Sequence, residues 1–336
     1  MTPMTSFLSH PLLCDPLFKP KIWGGRRLET ILGKQLPPGE PIGESWEVAD
    51  IAEGASTIAN GRLAGMSLRE AMAEHGHALA PGAGDGRFPL LVKFIDAEDD
   101  ISVQLHPDAE ACRRHFPHEH SKHECWIVVD AAPGACILHG VRPEITRSEV
   151  ESRIRDESFV KCLRRVPVQA GDVIDVPPGT LHAACKGVVL LEVQEPSDST
   201  FRVYDYGRTG EDGRPRALHI EEALRALRLR RDAPAKLDPK RDTLDWGEYE
   251  LLVDAAPFRV ERLTLRRSVP WPTPSAAPAV LVVLAGGAAI PHDGESIGLC
   301  LGETCILPAA LEGVDLQPDG DAVVVLATPR ADSDES

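Results

Sequence analysis

Two polar side chains lie two positions apart in a short alternating run, residues 102–106. Alternate side chains of a β-strand point to the same face, so Gln104 and His106 share one face, and Val103 and Leu105 share the other. An amide oxygen and an imidazole placed in this way on the wall of a barrel can bind one metal ion. An edge strand with polar residues facing water gives the same pattern, and this segment alone favours that second interpretation.

A second segment, residues 171–182, changes that balance. Its sequence, GDVIDVPPGTLH, fits the pattern G-x5-P-x-G-x2-H and resembles the second signature of cupin barrels. In that signature a strand enters a tight turn, whose backbone is set here by Pro177 and Gly179, and the next strand begins with a histidine that faces the interior. His182 occupies this place and is therefore a candidate metal ligand.

A carboxylate should complete the ligand set, and Glu124 is the candidate because the apolar run WIVVDA follows it directly. Gln104, His106, Glu124 and His182 around a divalent ion leave room for water or substrate, as in catalytic metal sites. We predict one divalent metal ion per chain, with zinc as the first choice.

A competing ligand register exists upstream of Glu124. His118, His120 and Glu124 form H-x-H-x3-E, the core of the first cupin signature. That stretch contains Pro117, lacks β-branched residues and lacks the glycine expected six positions before the first histidine. We interpret it as a polar excursion between strands, which requires an insertion between His106 and Glu124.

The elements that must position these residues are mostly short strands. Apolar or alternating runs bounded by Gly, Pro and Asp recur along the chain, for example FPLLVKFID, CWIVVDA, DVIDVP, VVLLEVQ and AVLVVLAGG. This pattern predicts a mainly β sandwich or barrel with a few decorating helices. Together with the resemblance to the cupin signature, it implies two cupin (jelly-roll) barrel units.

Helical signals are few. Capping boxes begin at Ser67 and Thr146, and apolar residues at i, i+3, i+4 and i+7 begin at Ile220. The last helix separates two clusters of strands. We therefore expect a catalytic, metal-binding domain over residues 1–215, and a linking helix with a metal-free β domain over 216–336.

Composition excludes several classes of protein. The 336 residues carry 36 basic and 52 acidic side chains, a net charge of −16, which opposes binding to nucleic acid or to an anionic membrane. No apolar stretch approaches the roughly 20 residues of a membrane helix. The eight cysteines contain no C-x-x-C pair and indicate reduced thiols in a cytoplasmic protein.

Taken together, these segments resemble the type I mannose-6-phosphate isomerases, specifically the short bacterial form. The resemblance spans most of the first 230 residues and rests on eight motifs in order: KIWGG, GESWE, FPLLVK, SVQLHPD, KHECW, PPGTLHA, LEVQEPSDSTFRVYDYGR and LHIEEAL. It implies a zinc-containing cupin barrel that interconverts mannose 6-phosphate and fructose 6-phosphate, with a small sugar phosphate as the partner and a monomer or homodimer as the assembly.

The resemblance also implies roles for individual residues. Gln104, His106, Glu124 and His182 ligate the metal, Arg202 is the active-site arginine, and Lys122 and Glu192 face the active site. The reaction moves a proton between C1 and C2 and needs a base, a proton shuttle and stabilisation of an enediolate. Glu192 could be the base or orient it, Lys122 could move a proton or hold substrate, and Arg202 could stabilise the enediolate charge.

The second β unit is expected to be a degenerate cupin. Gly302 and Pro308 repeat G-x5-P, but Ala310 replaces the expected glycine and Gly313 stands in place of the histidine. Beyond residue 220 the only histidine is His292. The metal should therefore lie in the first barrel alone.

Other interpretations remain open from sequence. Lys122 and Arg202 could be counter-ions for Glu124 and Asp205 rather than catalytic groups. The chain could be a metal-containing cupin that binds sugar phosphates without turnover, although it keeps Arg202 and Lys122. A metal-dependent oxygenase usually has histidine-rich iron ligation, and Gln104 speaks against it.

Overall fold

The computed structural model describes residue 8 and residues 10–330, apart from 156, 211–212, 231–232, 273–276, 293 and 312. The described chain is mainly β. Its strands are β1 (Leu12–Asp15), β2 (Leu17–Gly25), β3 (Ile42–Val48), β4 (Asp50–Ile51), β5 (Gly54–Ala55), β6 (Thr57–Ile58), β7 (Leu91–Ala97), β8 (Val103–Leu105), β9 (Glu124–Ala131), β10 (Cys136–Val141), β11 (Leu163–Pro167), β12 (Val173–Val176), β13 (His182–Ala184), β14 (Val188–Gln194), β15 (Phe201–Tyr204), β16 (Arg241–Leu244), β17 (Gly247–Asp254), β18 (Phe258–Leu265), β19 (Val269–Trp271), β20 (Ala279–His292), β21 (Glu295–Cys300), β22 (Thr304–Leu307) and β23 (Val314–Pro329).

The helices are short. They are α1 (Arg27–Leu32), α2 (Leu68–Leu79), α3 (Ala109–His115), α4 (Arg147–Arg153) and α5 (Ile220–Ala226), with 3-10 turns at Gly61–Leu63 and Glu157–Cys162. Both predicted capping boxes are present, at Ser67 before α2 and at Thr146 before α4. None of the helices in the described ranges is long and apolar enough to cross a membrane.

The first barrel consists of two antiparallel sheets that pack face to face. One sheet has the order β12-β9-β14-β7-β3-β2 and the other β11-β10-β13-β8-β15. Apolar side chains from both sheets meet between them, including Ile95, Trp126 and Leu190 from the first and Ile137 and Ala184 from the second. This double sheet is the predicted cupin architecture.

The outer face of the six-stranded sheet is covered as well, which explains why β14 is apolar at almost every position. Leu190 points into the barrel, whereas Val189, Leu191 and Val193 point outward. The outward residues join a core that contains residues of the second half of the chain, such as Phe258. A strand covered on both faces needs an almost continuous apolar run, and Glu192 and Gln194 are the polar exceptions.

The second β unit is built on a ten-stranded sheet with the main order β16-β17-β18-β23-β20-β22-β1-β6, to which β19 and β21 are added. Strand β1 pairs with β22, so an N-terminal strand completes a sheet otherwise made largely by the second half of the chain. On the other side of the molecule, α5 covers the five-stranded sheet through Ala223 and Ala226.

Candidate active site

The ends of three strands bring three candidate ligands together. His106 follows β8, Glu124 begins β9 and His182 begins β13. The Nε2 atoms of His106 and His182 are 3.2 Å apart. Glu124 lies 3.0 Å from His106 (Oε1 to Nε2) and 3.5 Å from His182 (Oε2 to Nε2). All three side chains are buried.

The turn before β13 places His182. Gly179 has a positive φ of +81°, and a Cβ at this position would lie 2.7 Å from the carbonyl oxygen of Ala226. The Gly179 N–H also donates to the carbonyl of His106 at 2.7 Å. Only glycine fits this turn without strain, and the turn joins the segments that carry the two histidines.

The tautomers of both histidines follow from their outer contacts. Nδ1 of His106 is 2.7 Å from the carbonyl of Ser199, and Nδ1 of His182 is 2.8 Å from the carbonyl of Thr180. A carbonyl only accepts, so both Nδ1 atoms carry the proton and both Nε2 atoms present lone pairs to each other. Burial and the Lys122 ammonium lower the pKa of His106 to about 3. Burial likewise lowers the pKa of His182.

This donor set fits a divalent cation. Two facing lone pairs and a carboxylate repel one another unless a positive charge lies between them. Within the described residues, Oε2 of Glu124 is buried and has no hydrogen-bond partner. Histidines that donate Nδ1–H to a carbonyl and direct Nε2 inward are typical of metal sites. In the described part of the chain this is the only cluster of at least three histidine, cysteine or acidic side chains that could hold a metal ion.

Gln104 lies beside this cluster. It pairs directly with His182 in the sheet and lines the same cavity. Its Oε1 accepts a hydrogen bond from Ser102 Oγ at 3.4 Å. Gln104 therefore lies on the same cavity wall as His182.

The cavity beside the cluster has a volume of about 270 Å³ and is lined by both sheets of the barrel. Each of the proposed catalytic residues, Lys122, Glu192 and Arg202, lines it. The Lys122 ammonium is 2.8 Å from Oε1 of Glu124. The cavity therefore adjoins the cluster of His106, Glu124 and His182 and also contains groups that can donate or accept protons.

One row of side chains runs across four neighbouring strands, and Lys93, Glu192 and Trp126 of this row line the cavity. Trp46, Lys93, Glu192 and Trp126 are successive cross-strand partners on β3, β7, β14 and β9. Glu192 accepts from Trp126 Nε1 at 2.6 Å and lies 2.8 Å from the Lys93 ammonium. Burial and the charge of Glu124 raise the pKa of Glu192, against the opposing effect of Lys93.

Several cavity residues lie outside the set predicted from sequence. Lys21, Glu44, Lys93, Asp198 and Arg216 all line the cavity. Burial would raise the pKa of Glu44, but Lys93 and Lys21 lower it to about 2. In the sequence, such residues can be recognised only as charged side chains within apolar runs. The pairing of the strands is needed to show which of these side chains share a cavity.

Arginines form the polar end of the cavity. Arg202 on β15 pairs with Gln104 in the sheet, and its Nη1 donates to the carbonyl of Ala217 at 3.1 Å. Arg216 lies 3.4 Å from Asp205, which also contacts Arg208 at 2.6 Å. Among the described residues, Nε of Arg202 is buried and has no hydrogen-bond partner. Asp205 thus pairs with Arg208 and Arg216 rather than with Arg202.

The histidines of the competing ligand register lie outside the cluster of His106, Glu124 and His182. His118 and His120 are exposed in the loop between α3 and β9, and Nδ1 of His120 is 3.5 Å from Arg87. Helix α3 and this loop are the insertion that separates His106 from Glu124. In the second β unit, His292 faces His10 with ring centroids 6.1 Å apart.

Comparisons with known proteins agree with this architecture. A family model of the phosphomannose isomerase type I catalytic domain matches residues 12–139. The mannose-6-phosphate isomerase of Streptococcus mutans is 37% identical over 319 residues, which cover 95% of this chain and 98% of that protein. Mannose-6-phosphate isomerase ManA of Bacillus subtilis is 36% identical over 265 residues, 77% of this chain and 81% of that protein.

Solved structures give the same result. The crystal structure of the mannose 6-phosphate isomerase from Bacillus subtilis superposes with a TM-score of 0.87 at 31% identity, covering 94% of this chain and 99% of that one. The apo enzyme from Salmonella typhimurium, with a TM-score of 0.76 at 14% identity over 95% of this chain and 99% of that one, shows the shared fold. The chain therefore belongs to the type I mannose-6-phosphate isomerases and is an aldose–ketose isomerase.

Proposed function

We propose that the chain interconverts mannose 6-phosphate and fructose 6-phosphate in the cavity of the first barrel. We further propose one divalent ion per chain, zinc in the first place, held by Gln104, His106, Glu124 and His182. The observation that carries the proposal is the pair of inward-facing imidazole lone pairs beside a buried carboxylate, in the wall of a cavity that also contains Lys122, Glu192 and Arg202.

The chemistry assigns different work to these groups. A bound divalent ion supplies Lewis acidity toward the C1 and C2 oxygens and stabilises enediolate charge. Glu192 is the proposed base, because its raised pKa brings the carboxylate closer to the range in which it can take up and return a proton at neutral pH. Trp126 and Lys93 hold that carboxylate in place from two sides.

Lys122 and Arg202 are the proposed cationic groups of the reaction. The Lys122 ammonium lies at the metal-facing side of the cavity, where it can give a proton to a substrate oxygen. Arg202 lines the cavity, where its guanidinium can offer N–H donors and positive charge to the anionic intermediate. With Arg216 close by, this end of the cavity also supplies the positive charge that a phosphate group requires.

The remaining features of the proposal concern the whole chain. All seven proposed site residues fall within 1–215, the proposed catalytic domain, and 216–336 contributes the proposed metal-free β domain. We propose a cytoplasmic protein that is a monomer or homodimer and whose partner is the small sugar phosphate itself.

The direct test is an assay of the purified protein for conversion of mannose 6-phosphate to fructose 6-phosphate. We expect turnover by the metal-loaded protein, loss of turnover after treatment with a chelator and recovery on addition of Zn²⁺. Absence of turnover in protein that holds one metal ion per chain would contradict the proposal and favour a binding protein.

The ligand assignment is tested by a matched pair of histidine variants. His106→Ala should abolish stoichiometric metal binding, because it removes one of the two facing Nε2 atoms. His118→Ala should leave the metal content unchanged, because this histidine is exposed in the loop before β9. Elemental analysis after desalting measures both, and the opposite result would assign the metal to the upstream register.

The proposed base predicts a pH dependence. Because the pKa of Glu192 is raised above the ordinary 4.5, the ionised base should be lost as pH falls through that raised value, so the acid limb of kcat/KM lies above 4.5. Glu192→Gln should lower kcat by about 10²–10⁴-fold and abolish that limb.

Two measurements separate this role from a structural one. Metal content should stay at the wild-type value in Glu192→Gln, and Glu295→Gln on β21, an exposed position far along the chain, should leave kcat and its pH profile unchanged. A Glu192→Gln enzyme with wild-type kcat would remove Glu192 from the mechanism.

A further inference from the structure

The segment between β14 and β15 contains a dense set of hydrogen bonds. Gln194, the last residue of β14, is completely buried. Its Nε2 donates to the carbonyl of Glu195 at 2.8 Å and to the carbonyl of Ser197 at 2.7 Å. One side-chain amide therefore fixes the path of the chain that follows it.

That path leads to a candidate metal ligand. The Ser199 N–H donates to Oγ of Ser197 at 3.2 Å, and the Ser199 carbonyl accepts the Nδ1 proton of His106 at 2.7 Å. The orientation and tautomer of His106 thus depend on Ser199, and the position of Ser199 depends on Ser197 and Gln194.

The same segment holds the chain before Glu124. Oγ of Ser197 donates to the carbonyl of His120 at 3.2 Å, and the His120 N–H donates to Oγ of Ser199 at 3.1 Å. The Glu195 carboxylate accepts from the His123 N–H at 2.8 Å. Residues 120–123 carry Lys122 and lead directly into Glu124, so both sides of the candidate metal cluster rest on this segment.

Gln194 itself is an unusual residue to bury here. It pairs with Glu124 across β14 and β9, and among the described residues its Oε1 is buried without a hydrogen-bond partner. An apolar side chain would avoid burying that unpaired oxygen. The two hydrogen bonds that Nε2 donates therefore explain why an amide is buried at this position, whereas its oxygen does not.

We propose that Gln194 is a positioning residue that organises residues 195–199, so that the Ser199 carbonyl holds His106 with Nε2 directed at the metal. The inference rests on the proposed metal site. Outer partners of metal-bound histidines fix the ring and its tautomer, and their loss typically costs 10- to 100-fold in metal affinity. Gln194 acts one step farther out, through the backbone that supplies that partner.

The test compares Gln194→Met with Gln169→Met, which makes the same change at an exposed turn before β12. In a chelator competition with Zn²⁺, Gln194→Met should bind about 10- to 100-fold more weakly than wild type, and Gln169→Met should match wild type. Ser197→Ala removes only the Oγ contacts to His120 and Ser199, and should weaken Zn²⁺ binding in the same direction even where Gln194→Met fails to fold.

A second readout needs no metal. The ¹⁵N spectrum of the metal-free protein should show His106 as the single Nδ1–H tautomer in wild type, and as a mixture in Gln194→Met or Ser197→Ala. Wild-type Zn²⁺ affinity together with an unchanged tautomer in the folded variants would overturn the inference. If wild type itself bound no Zn²⁺, the proposed function would fail, whereas the tautomer comparison would still decide the role of Gln194.

Discussion

The facing imidazole lone pairs and the buried carboxylate at the strand ends of the first barrel are the constraint on which the site depends. Two neutral imidazoles present Nε2 to each other at 3.2 Å, beside a carboxylate oxygen that has no hydrogen-bond partner within the described chain. In a buried place such an arrangement is unfavourable, because a medium of low dielectric screens the repulsion weakly. It is stable only when the backbone holds the two imidazoles and the carboxylate together and a cation offsets their repulsion.

The backbone holds them through the two-sided burial of the six-stranded sheet. Strand β14 directs Leu190 and Glu192 into the barrel, while Leu191 and Val193 pack against the core that includes Phe258 of the second β unit. A strand fixed on both faces cannot shift its register without moving a polar residue into an apolar core. The second unit therefore supports the first barrel by packing against it, although none of the described residues of its ten-stranded sheet lines the cavity.

How much of this site the sequence predicts depends on whether the residues concerned are neighbours in the chain. Alternation along β8 is sufficient to place Gln104 and His106 on one face, and the Pro177–Gly179 turn is sufficient to predict an inward His182, because both arguments use neighbours in the chain. The row of Trp46, Lys93, Glu192 and Trp126 is different, since its members lie on four strands and meet only through sheet register. Lys93 at the end of an apolar run looks like a strand-end lysine until Glu192 is placed opposite it.

Charge shows the same difference between local and global information. A net charge of −16 describes the chain as a whole and opposes nucleic acid as a partner. The cavity has the other sign, because five cationic side chains and four carboxylates line it before any metal ion is counted: Lys21, Lys93, Lys122, Arg202 and Arg216 against Glu44, Glu124, Glu192 and Asp198.

The positive excess lies in the less buried part of the cavity, which contains Lys21, Arg202, Arg216 and Asp198. Lys93 and Lys122 are almost completely buried. The carboxylates of Glu44, Glu124 and Glu192 are buried beside them and offset their charge. A divalent ion adds to that excess. An anionic substrate is therefore attracted into the barrel of an acidic protein, because the excess acidic charge lies outside the cavity, where water and salt screen it.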